Sequence, residues 1–592
     1  MVTMCGIFGY IGESRDAGEA VVEGLRRLDY RGYDSWGVAV LKSDDIALEK
    51  SVGVVDEHPL PFRGHVGIGH TRWATHGAVT EANAHPHMAT DGSFALAHNG
   101  IVENMEELKN VLAKKGYRFL SQTDTEAIVY LIEEKWKKAK TLQEAVRTAF
   151  KELEGRNTVI VLSSDGHIIG ARNGSPLVIG VGARPGEIYF SSDVLSFSSY
   201  VKGVVVLENG QMAATSPQGL SVIDIASGKK LKPKIEKNVI VRASSDKGKY
   251  EHYMLKEIME SPEVIQRIAA HKDTDIRKLA RAITKARRVY TIGSGTAGAA
   301  AGQFGFYLRE YGGIPALGLI GAEATEYYGL FGKGDLLIAL SQSGETADVL
   351  EVLEFAQKKG ATIASYVNMP GSMITRMSDF KYMAEAGPEI CVMSTKIFTS
   401  QIAWGYLIAK AVQGRLAEGK KQLKSLVQQA EKLLADEKKI AEIKSLAPQM
   451  AQNEHLFLLA KGQNLQIARE AMVKIIEGSY IHAHAIPAGD LKHYAITLME
   501  PGVPVVAIVS NDALRSDVLN AIHEVKARGA FVTGVAPSAA KEFDQTLLVP
   551  DTKETSAIMN IIPLQLLAYY MAVHLGTNVD KPRNIAKSVT VK

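Results

Sequence analysis

The sequence has little cysteine. Only Cys5 and Cys391 occur among 592 residues, so neither a disulfide framework nor a cysteine-based zinc site is available. This usage fits a reducing, cytoplasmic setting. Charge of one sign is also lacking, because 68 basic and 65 acidic residues leave a net charge of +3. The balance argues against a protein that binds nucleic acid or a membrane surface through its charge.

Long hydrophobic runs are rare as well. The N-terminal residues lack a basic region followed by a long apolar core, so we do not expect a signal peptide. One stretch, 556–576, carries no Asp, Glu, Lys or Arg and is long enough to cross a bilayer. It is interrupted by Asn560, Pro563, Gln565 and His574. We therefore predict a buried core helix that begins at Pro563.

The apolar and charged fractions, 46% and 22%, predict a soluble globular chain, and its length predicts three or four domains. The first 225 residues combine short β-type runs with two helical patterns, which is typical of an α+β domain. The predicted strands are 37–42, 66–69, 94–98, 159–163, 188–191 and 204–207, and the predicted helices are 104–115 and 124–140.

Basic and polar residues at 227–249 indicate an exposed linker. From residue 250 onward, long helices alternate with apolar strands, as in doubly wound α/β domains. Residues 335–360 align without a gap with residues 504–529. Each copy is a buried strand, a polar turn, an amphipathic helix and a glycine. We therefore predict two related α/β domains joined by the charged helices of 416–443.

The two copies differ in the polar turn. Copy one has SQSGET at 341–346, where hydroxyls, an amide and free N–H groups at a helix N-terminus suit a bound phosphate. Copy two lacks the glycine and has Asp512 at this place. The sequence therefore predicts one phosphate site, in copy one. An ordinary capped helix start is the alternative for the SQSGET turn.

Cys5 precedes a strand-like run, and three polar loops follow it: HTRWATHG at 70–77, HNG at 98–100 and TDTE at 123–126. These loops supply an arginine for an α-carboxylate, an aspartate for an α-ammonium, and an Asn–Gly pair for an oxyanion. No histidine is tied to Cys5 by spacing. A cysteine at the first position can use its own α-amine, with a pKa of about 7.7–8.0, as the base. A small buried cysteine is the alternative.

The motifs CGIFGYIG, LRRLDYRGYDSWG, HTRWATHG, NAHPH, HNGIVEN and SQTDTE resemble the class II glutamine amidotransferase domain, an N-terminal-nucleophile (Ntn) glutaminase. The motifs SQSGETAD, STK, EGSYIHAHAIPAGDLKH and DKPRNIAKSVTVK resemble the two sugar-isomerase (SIS) domains of the isomerizing glutamine–fructose-6-phosphate aminotransferase family. They occur in order over essentially the whole chain. The resemblance implies an α+β Ntn glutaminase domain followed by two doubly wound α/β SIS domains.

The implied boundaries are 1–225 for the glutaminase domain, 226–255 for a linker, 256–415 for the first SIS domain, 416–445 for a helical connector, and 446–592 for the second SIS domain with the C-terminal tail.

For the glutaminase half, the resemblance implies that Cys5 is the nucleophile, that its α-amine is the base, and that Asn99 and Gly100 form the oxyanion hole. The residues implied to bind glutamine are Arg72, Trp73, Thr75, His76 and Asp124. Trp73 is further implied to gate the path by which ammonia leaves. Residues 1–4 precede Cys5, so we expect translation to start at Met4 and the methionine to be removed. Cleavage of a short pro-segment and an inactive glutaminase are the alternatives.

For the isomerase half, the resemblance implies that Glu477 moves the proton, that Lys474 tunes it, that His493 opens the sugar ring and that Lys587 forms an imine. The residues implied to bind the sugar phosphate are Thr296, Ser341, Gln342, Ser343, Thr346, Val392, Ser394 and Ala586. From spacing alone, Lys474 and Glu477 would be an exposed i,i+3 pair, and Lys587 would be a solvated charge.

Several positions depart from the family pattern. Ala297 stands where a serine often contacts the phosphate, and Tyr494 stands where a glycine is usual. His484 replaces an acidic residue, and Trp36 replaces a small one. Of these, Ala297 and Tyr494 bear on sugar specificity.

The implied function is glutamine hydrolysis, internal transfer of ammonia, and conversion of fructose 6-phosphate to glucosamine 6-phosphate, the first step of amino-sugar nucleotide (UDP-GlcNAc) synthesis. No metal or organic cofactor is implied, because the alternating histidines at 85 and 87 and at 482 and 484 lack a carboxylate or cysteine partner. We expect a cytoplasmic homodimer without nucleic-acid or membrane partners.

Two alternatives stay open. One is an aminotransferase or deglycase that acts on another sugar phosphate, and the other is a catalytically silent sugar-phosphate sensor. The joint presence of Glu477, His493 and Lys587 argues against the sensor, which needs only the phosphate site.

Overall fold

The computed structural model describes residues 5–28, 32–43, 45–56, 60–74, 77–216, 219–237 and 247–588. The chain divides into two compact units. The first comprises Met1–Ala243 together with Ala586–Lys592, and the second comprises Ser244–Ile585. The tail from Ala586 onward therefore groups with the first unit, whereas the predicted boundaries kept it with the second SIS domain.

The first unit is built from short strands and few helices. Its strands are β1 (Gly6–Ile11), β2 (Ser35–Lys42), β3 (Asp45–Val52), β4 (Val66–Arg72), β5 (His87–Met88), β6 (Phe94–Gly100), β7 (Asn157–Ser163), β8 (Ile168–Asn173), β9 (Val178–Gly182), β10 (Ile188–Ser191), β11 (Val201–Val206), β12 (Gln211–Ser216), β13 (Gly219–Asp224), β14 (Lys230–Leu231) and β15 (Glu236–Lys237). Its helices are α1 (Ala17–Leu28), α2 (Met105–Lys114), α3 (Thr125–Trp136) and α4 (Leu142–Phe150).

These described strands form two antiparallel sheets, in the orders β15-β11-β9-β10-β1-β4-β2-β3 and β14-β13-β12-β8-β7-β6-β5. Strand β1 shows why the sheets stack. Its alternate side chains lie on opposite faces, so that Ile7 packs between the two sheets and Phe8 and Tyr10 pack under α1. On the far side of the second sheet, α2, α3 and α4 cover an apolar face that includes Phe94. The unit is therefore a four-layered α+β domain.

The six strands and two helices predicted in this region are confirmed, with small shifts at their ends. The predicted linker differs from the structure at its start. Strand β14 pairs with β13, and β15 pairs with β11, because the edge strands of the two sheets offer free backbone groups to the chain that leaves them. Residues 238–246 of the predicted linker lie outside the described residues.

The second unit alternates helices with parallel strands. Its helices are α5 (Tyr253–Met259), α6 (Ser261–Ala270), α7 (Asp273–Lys285), α8 (Thr296–Glu310), α9 (Ala347–Lys358), α10 (Met373–Met377), α11 (Lys396–Val412), α12 (Leu416–Ala435), α13 (Glu437–Ala451), α14 (Leu465–Ser479), α15 (Arg515–Lys526) and α16 (Ser556–His574). Its strands are β16 (Val289–Gly293), β17 (Ala316–Ile320), β18 (Leu336–Ser341), β19 (Thr362–Val367), β20 (Phe380–Met383), β21 (His455–Ala460), β22 (His482–Pro487), β23 (Pro504–Ile508), β24 (Phe531–Ala536) and β25 (Gln545–Leu548).

The predicted duplication is confirmed by the topology of the second unit. Its described strands form two parallel sheets of five strands, ordered β17-β16-β18-β19-β20 and β22-β21-β23-β24-β25. The two orders are the same, and the aligned segments form β18 with α9 in copy one and β23 with α15 in copy two. Helices α12 and α13 connect the copies, as predicted for 416–443.

The apolar stretch near the C-terminus forms α16, which lies in the core of the second unit. Residues 553–574 contain an 18-residue window that is apolar enough to cross a membrane, with a mean hydropathy of 1.5, but 89% of that window is buried inside the protein. The prediction that this helix begins at Pro563 is wrong, because α16 begins at Ser556 and Pro563 lies inside it. Packing on all sides of the helix outweighs the backbone hydrogen bond that proline removes.

Candidate active sites

Cys5 is placed by strand pairing. It comes directly before β1, and Gly6 on β1 pairs with Thr71 on β4, so that Cys5 meets a loop 68 residues away. The backbone N–H of Trp73 donates to Cys5 Sγ at 3.3 Å. The Cys5 thiol donates to the carbonyl oxygen of Trp73 at 3.6 Å. The main chain of Trp73 therefore contacts the sulfur with both a donor and an acceptor.

Asp34, from the YRGYDSWG motif, fixes that main chain. Its backbone N–H donates to Arg72 O at 3.0 Å, and its Oδ2 accepts from the Ala74 N–H at 2.9 Å. In a trans peptide group the N–H and C=O point in opposite directions. The two contacts therefore turn the N–H and the C=O of Trp73 toward Cys5. Asp34 is not among the site residues expected from the sequence, although it lies in the motif LRRLDYRGYDSWG.

Asn99 and Gly100, the residues predicted to form the oxyanion hole, end strand β6 beside Cys5. Asn99 Nδ2 donates to the Cys5 carbonyl oxygen at 3.0 Å. Gly100 has φ 144°, and a Cβ there would lie 2.2 Å from Arg156 O. Only glycine therefore fits at the end of this strand. The hydrogen bond to the Cys5 carbonyl places the side-chain amide of Asn99 next to the residue that carries the sulfur.

Arg72 and Asp124 are both buried near Cys5. The Arg72 guanidinium donates to Ala78 O at 3.2 Å and to Gly77 O at 3.4 Å. Burial lowers the pKa of Arg72, whereas the neighbouring Cys5 and Asp124 raise it. Arg72, Asp124 and Cys5 are therefore neighbours in this part of the first unit.

Asp124 lies directly before helix α3, and its Oδ2 accepts from the Val102 N–H at 2.8 Å. The ring of Trp73 packs edge-on against Tyr33 at 5.1 Å. Thr75 and His76, the other residues predicted to bind glutamine, lie outside the described residues.

The SQSGET turn of copy one lies between β18 and α9. Gly344 has φ 68° and its N–H donates to Ser341 Oγ at 2.8 Å, while the Glu345 N–H donates to Ser343 Oγ at 3.1 Å. Helix α9 begins after Thr346 with no side-chain cap. Its first N–H groups are therefore not satisfied by a capping side chain, which is compatible with an anion site, although α15 of copy two also lacks such a cap.

Two predicted phosphate contacts meet at one edge of the sheet. Thr296 begins α8 after β16, and Ser341 ends β18. These strands are parallel neighbours near the point where the strand order reverses. Ligands of doubly wound sheets bind in the crevice at this point.

In copy two the corresponding turn is filled by side chains. Gln463 Nε2 donates to Asp512 Oδ2 at 2.9 Å. Asn464 Nδ2 donates to Ser510 Oγ at 2.9 Å, and Asn560 Nδ2 also reaches this oxygen, at 3.4 Å. The carboxylate of Asp512 would repel a phosphate, which agrees with the prediction of one phosphate site.

Lys474 and Glu477 lie on α14, and Lys474 is buried, so the exposed-pair alternative does not hold for it. Lys474 Nζ is 2.5 Å from Glu477 Oε2 and 3.5 Å from Glu470 Oε1. Burial alone would lower the pKa of Lys474, but Glu470 and Glu477 raise it above its usual value. The lysine is therefore held as a cation between the Glu477 carboxylate and the buried side chain of Glu470.

Glu470 joins this group to copy one. It is fully buried on α14, and the Thr296 hydroxyl donates to its Oε1 at 3.3 Å. Burial raises the pKa of Glu470 to about 8, although Lys474 opposes the change. The sequence analysis missed Glu470. Its positions four and seven residues before Lys474 and Glu477, on one helix face, were the available signal.

The predicted sugar-lining segment precedes α11. Val392 is buried and Ser394 is half-buried. The Cys391 N–H donates to Glu257 Oε1 at 3.2 Å, and the Val392 N–H donates to Asp580 O at 2.9 Å. Asp580, on the C-terminal tail, also accepts from the Tyr253 and Met254 N–H groups through its carboxylate, at 3.0 and 2.9 Å. The tail therefore begins against the sugar-lining segment.

His493 is exposed in a short turn after β22, and its N–H donates to Asp490 O at 2.9 Å. Among the described contacts, none joins it to Glu477 or to the SQSGET turn. Its neighbour Tyr494 is 47% exposed and packs against the ring of His484 at 5.9 Å. His484 and Tyr494, two of the positions at which the sequence departs from the family pattern, therefore contact each other.

Ala586 and Lys587 are half-buried in the tail that groups with the first unit.

Comparison with known proteins covers both units. Residues 70–199 match the glutamine amidotransferase domain family, and residues 282–411 and 449–575 match the SIS domain family. The chain is 37% identical over 601 residues to glutamine–fructose-6-phosphate aminotransferase [isomerizing] of Pyrococcus horikoshii. It is 39% identical over 619 residues to the protein of that name from Vibrio vulnificus strain CMCP6. Each alignment covers 100% of both chains.

Among solved structures, the chain is similar to the C-terminal domain of glucosamine-fructose-6-phosphate aminotransferase from Francisella tularensis. The sequence identity is 32% and the TM-score is 0.52. This match covers 57% of the present chain and 100% of that one.

Proposed function

The chain belongs to the family of isomerizing glutamine–fructose-6-phosphate aminotransferases, and from this premise we propose how its residues divide the reaction. It is an enzyme with a glutamine amidotransferase domain and two SIS domains, and it uses glutamine to aminate and isomerise fructose 6-phosphate. The resulting 2-amino-aldose phosphate is glucosamine 6-phosphate. The roles of individual residues, the domain boundaries and the internal passage of ammonia are the proposal.

In the glutaminase half, Cys5 Sγ attacks the side-chain carboxamide carbon of glutamine. Asn99 Nδ2 and the Gly100 N–H stabilise the oxyanion of the tetrahedral intermediate. Ammonia leaves, and water then hydrolyses the thioester to glutamate. The base is the α-amine of Cys5, which is available once residues 1–4 are absent.

In this scheme, two charged side chains bind the two charged groups on the α-carbon of glutamine. Arg72 binds the α-carboxylate, and Asp124 binds the α-ammonium. The proposed set of glutamine-binding residues is completed by Trp73, Thr75 and His76. Ammonia then passes within the protein to the isomerase half.

In the isomerase half, the phosphate is bound by Thr296, Ser341, Gln342, Ser343 and Thr346. The sugar is lined by Val392, Ser394 and Ala586. His493 opens the ring. The Lys587 amine condenses with the C2 carbonyl and releases water, and ammonia then displaces the lysine. Glu477 takes a proton from C1 and returns it to C2, while the imine nitrogen gains a proton and the C1 hydroxyl loses one, which leaves the 2-amino-aldose.

One observation carries the isomerase assignment: the Lys474–Glu477 pair of copy two is linked through Glu470 to Thr296 in copy one. The proposed acid–base group and the proposed phosphate site are therefore parts of one polar cluster. A sugar-phosphate sensor would need only the phosphate site.

The experiment that tests the proposal measures glucosamine 6-phosphate formed from fructose 6-phosphate with glutamine as the sole nitrogen donor. Intact mass of the same preparation reports its first residue. We expect product, and a mass that begins at Cys5. Product from enzyme whose mass begins at Met1 would contradict the role of the α-amine. Another aminated sugar would contradict the substrate, and Tyr494 would then be the first position to change.

We further propose a cytoplasmic homodimer that has no nucleic-acid or membrane partner. The scarcity of cysteine supports the compartment. Gel filtration with light scattering tests the assembly, and a mass of one chain would contradict it.

A further inference from the structure

His70 lies behind the oxyanion-hole residue Asn99. It is carried by strand β4 and is fully buried. Its Nε2 is 3.1 Å from Asn99 Oδ1 and 3.0 Å from the His98 carbonyl oxygen. Both partners are carbonyl oxygens, which only accept hydrogen bonds. The proton of the imidazole is therefore on Nε2, and His70 donates to both oxygens.

This donor decides which end of the Asn99 carboxamide points toward Cys5. With Oδ1 held by His70, Nδ2 is at the opposite side and donates to Cys5 O at 3.0 Å. A flipped amide would place two donors together at His70 and two acceptors together at Cys5. Both hydrogen bonds of the amide would be lost in a buried place, where an unpaired polar group is costly.

The surroundings of His70 keep it neutral. Burial, with a smaller effect of the Arg72 charge, lowers the pKa of His70 to about 3. The ring of His85 lies 4.3 Å away, and Nδ1 of His70 is buried with no hydrogen-bond partner among the described residues. A proton on Nδ1 would have no acceptor, so the Nε2–H form persists at neutral pH.

We propose that His70 is a positioning residue of the glutaminase site, whose Nε2–H holds the Asn99 carboxamide with Nδ2 toward the carbon that Cys5 attacks. Nothing in the motif analysis assigns this role. The inference rests on the proposed function of Asn99 as an oxyanion-hole donor. His70 acts through Asn99 and touches neither the substrate nor the reacting atoms.

Methionine and glutamine make a matched pair of substitutions, because they are similar in size and only glutamine has a donor. In the full-length enzyme with saturating fructose 6-phosphate, we expect His70→Met to lower kcat for glutamine hydrolysis about 100-fold, the size of effect seen when an oxyanion-hole donor is lost. The KM for glutamine should stay within about threefold, because Arg72 and Asp124 are unchanged. His70→Gln should restore most of kcat.

A double-mutant cycle separates positioning from a structural role. If His70 acts through Asn99, His70→Met should lower kcat no further in an Asn99→Ala background. His87→Met is the matched control. His87 belongs to the same buried group of histidines but bonds Thr123 Oγ1, at 3.0 Å, so its effect should be additive with Asn99→Ala.

Three results would overturn the inference. They are a wild-type kcat for His70→Met, equal loss in the Met and Gln variants, or full additivity of His70→Met with Asn99→Ala. A wild-type kcat for Asn99→Ala would instead overturn the proposed role of Asn99, and with it the premise. Thermal unfolding of each variant shows that the comparison is made on folded protein.

Discussion

Cys5 lies among single residues that come from three other parts of the chain. The main chain of Trp73 contacts its sulfur, the amide of Asn99 contacts its carbonyl, and Asp34 fixes the main chain on either side of Trp73. Each contact is a hydrogen bond with a defined direction. At this scale, function depends on which atom of a residue faces the site, and residue type alone does not specify that.

Lys587→Ala tests the proposed imine at the residue scale. Turnover should fall at least about a thousandfold, because no other amine takes over the condensation with C2. Binding of fructose 6-phosphate, measured by calorimetry, should stay within about threefold, because the phosphate site is elsewhere in the chain. Lys581→Ala, in the same tail, is the control and should keep wild-type turnover. A large loss of binding in Lys587→Ala would contradict the role.

Among the elements of the second unit, the proposed isomerase site uses two turns at helix N-termini and one helix face. The turns before α8 and α9 present N–H groups at the edge of one parallel sheet. Helix α14 carries Glu470, Lys474 and Glu477 on one face. These elements have the same topology as their counterparts in the other copy, so the difference in function lies in the side chains that occupy the turns.

Gly344→Ala tests the turn before α9. Gly344 has φ 68°, and a Cβ there would lie 2.1 Å from Ser372 Oγ, so the turn must move. We expect the Kd of fructose 6-phosphate to rise at least about tenfold. Gly360→Ala is the matched control, with φ 84° and its nearest neighbour at 3.6 Å. It should cost about 1–2 kcal/mol of stability through the left-handed backbone alone, with the Kd unchanged. Equal values of Kd in both variants would refute the role of the turn.

Glu470→Gln tests the face of α14 through the pH dependence of stability. Burial raises the pKa of Glu470 to about 8 from its ordinary value of 4.5. Between these values the folded protein binds a proton that the unfolded chain releases. The stability from Glu470 is therefore complete below pH 4.5 and is lost as the pH rises through 8. The Tm of Glu470→Gln relative to wild type should increase from pH 5 to pH 8. A difference in Tm that stays constant from pH 5 to pH 8 would contradict the raised pKa of Glu470.

At the scale of the whole molecule, two units of different architecture carry two half-reactions. The first is an α+β domain of two antiparallel sheets, and the second is a duplicated parallel α/β unit. The first unit also buries a group of histidines next to the proposed catalytic residues. The two units should therefore respond differently to acid.

Acid should weaken the first unit between pH 6.5 and pH 5. Burial lowers the pKa of His70 to about 3 and lowers those of His85 and His87 well below 6.5. Below 6.5 the unfolded chain binds protons that the folded unit excludes, so stability present above 6.5 is lost as the pH falls. The slope approaches about 1.4 kcal/mol per pH unit for each histidine.

Calorimetry at pH 7, 6 and 5, with hydrogen exchange to assign the transitions, measures this loss. His87→Gln should lower the slope by about one proton. An unchanged slope in that variant would contradict the prediction.

The types of the predicted elements and the family could be deduced from the sequence alone. Strand alternation, helical periodicity and the duplicated segment are local patterns, because a side chain's face follows from the period of its own backbone. The motifs that resemble the family are short contiguous runs such as HTRWATHG and SQSGET. The contrast between the two turns could also be predicted, because a carboxylate at Asp512 repels phosphate wherever it is placed.

Which distant groups meet depends on how the chain folds in three dimensions. The β1–β4 pairing brings Cys5 to Trp73, and the packing of the two copies brings Glu470 to Thr296, 174 residues away. Packing also decided that α16 begins at Ser556, since burial on all sides overrides the proline that would mark a start. The physical reason is the same in each case. Strand register and core packing set long-range hydrogen-bond partners, and neither can be deduced from local sequence.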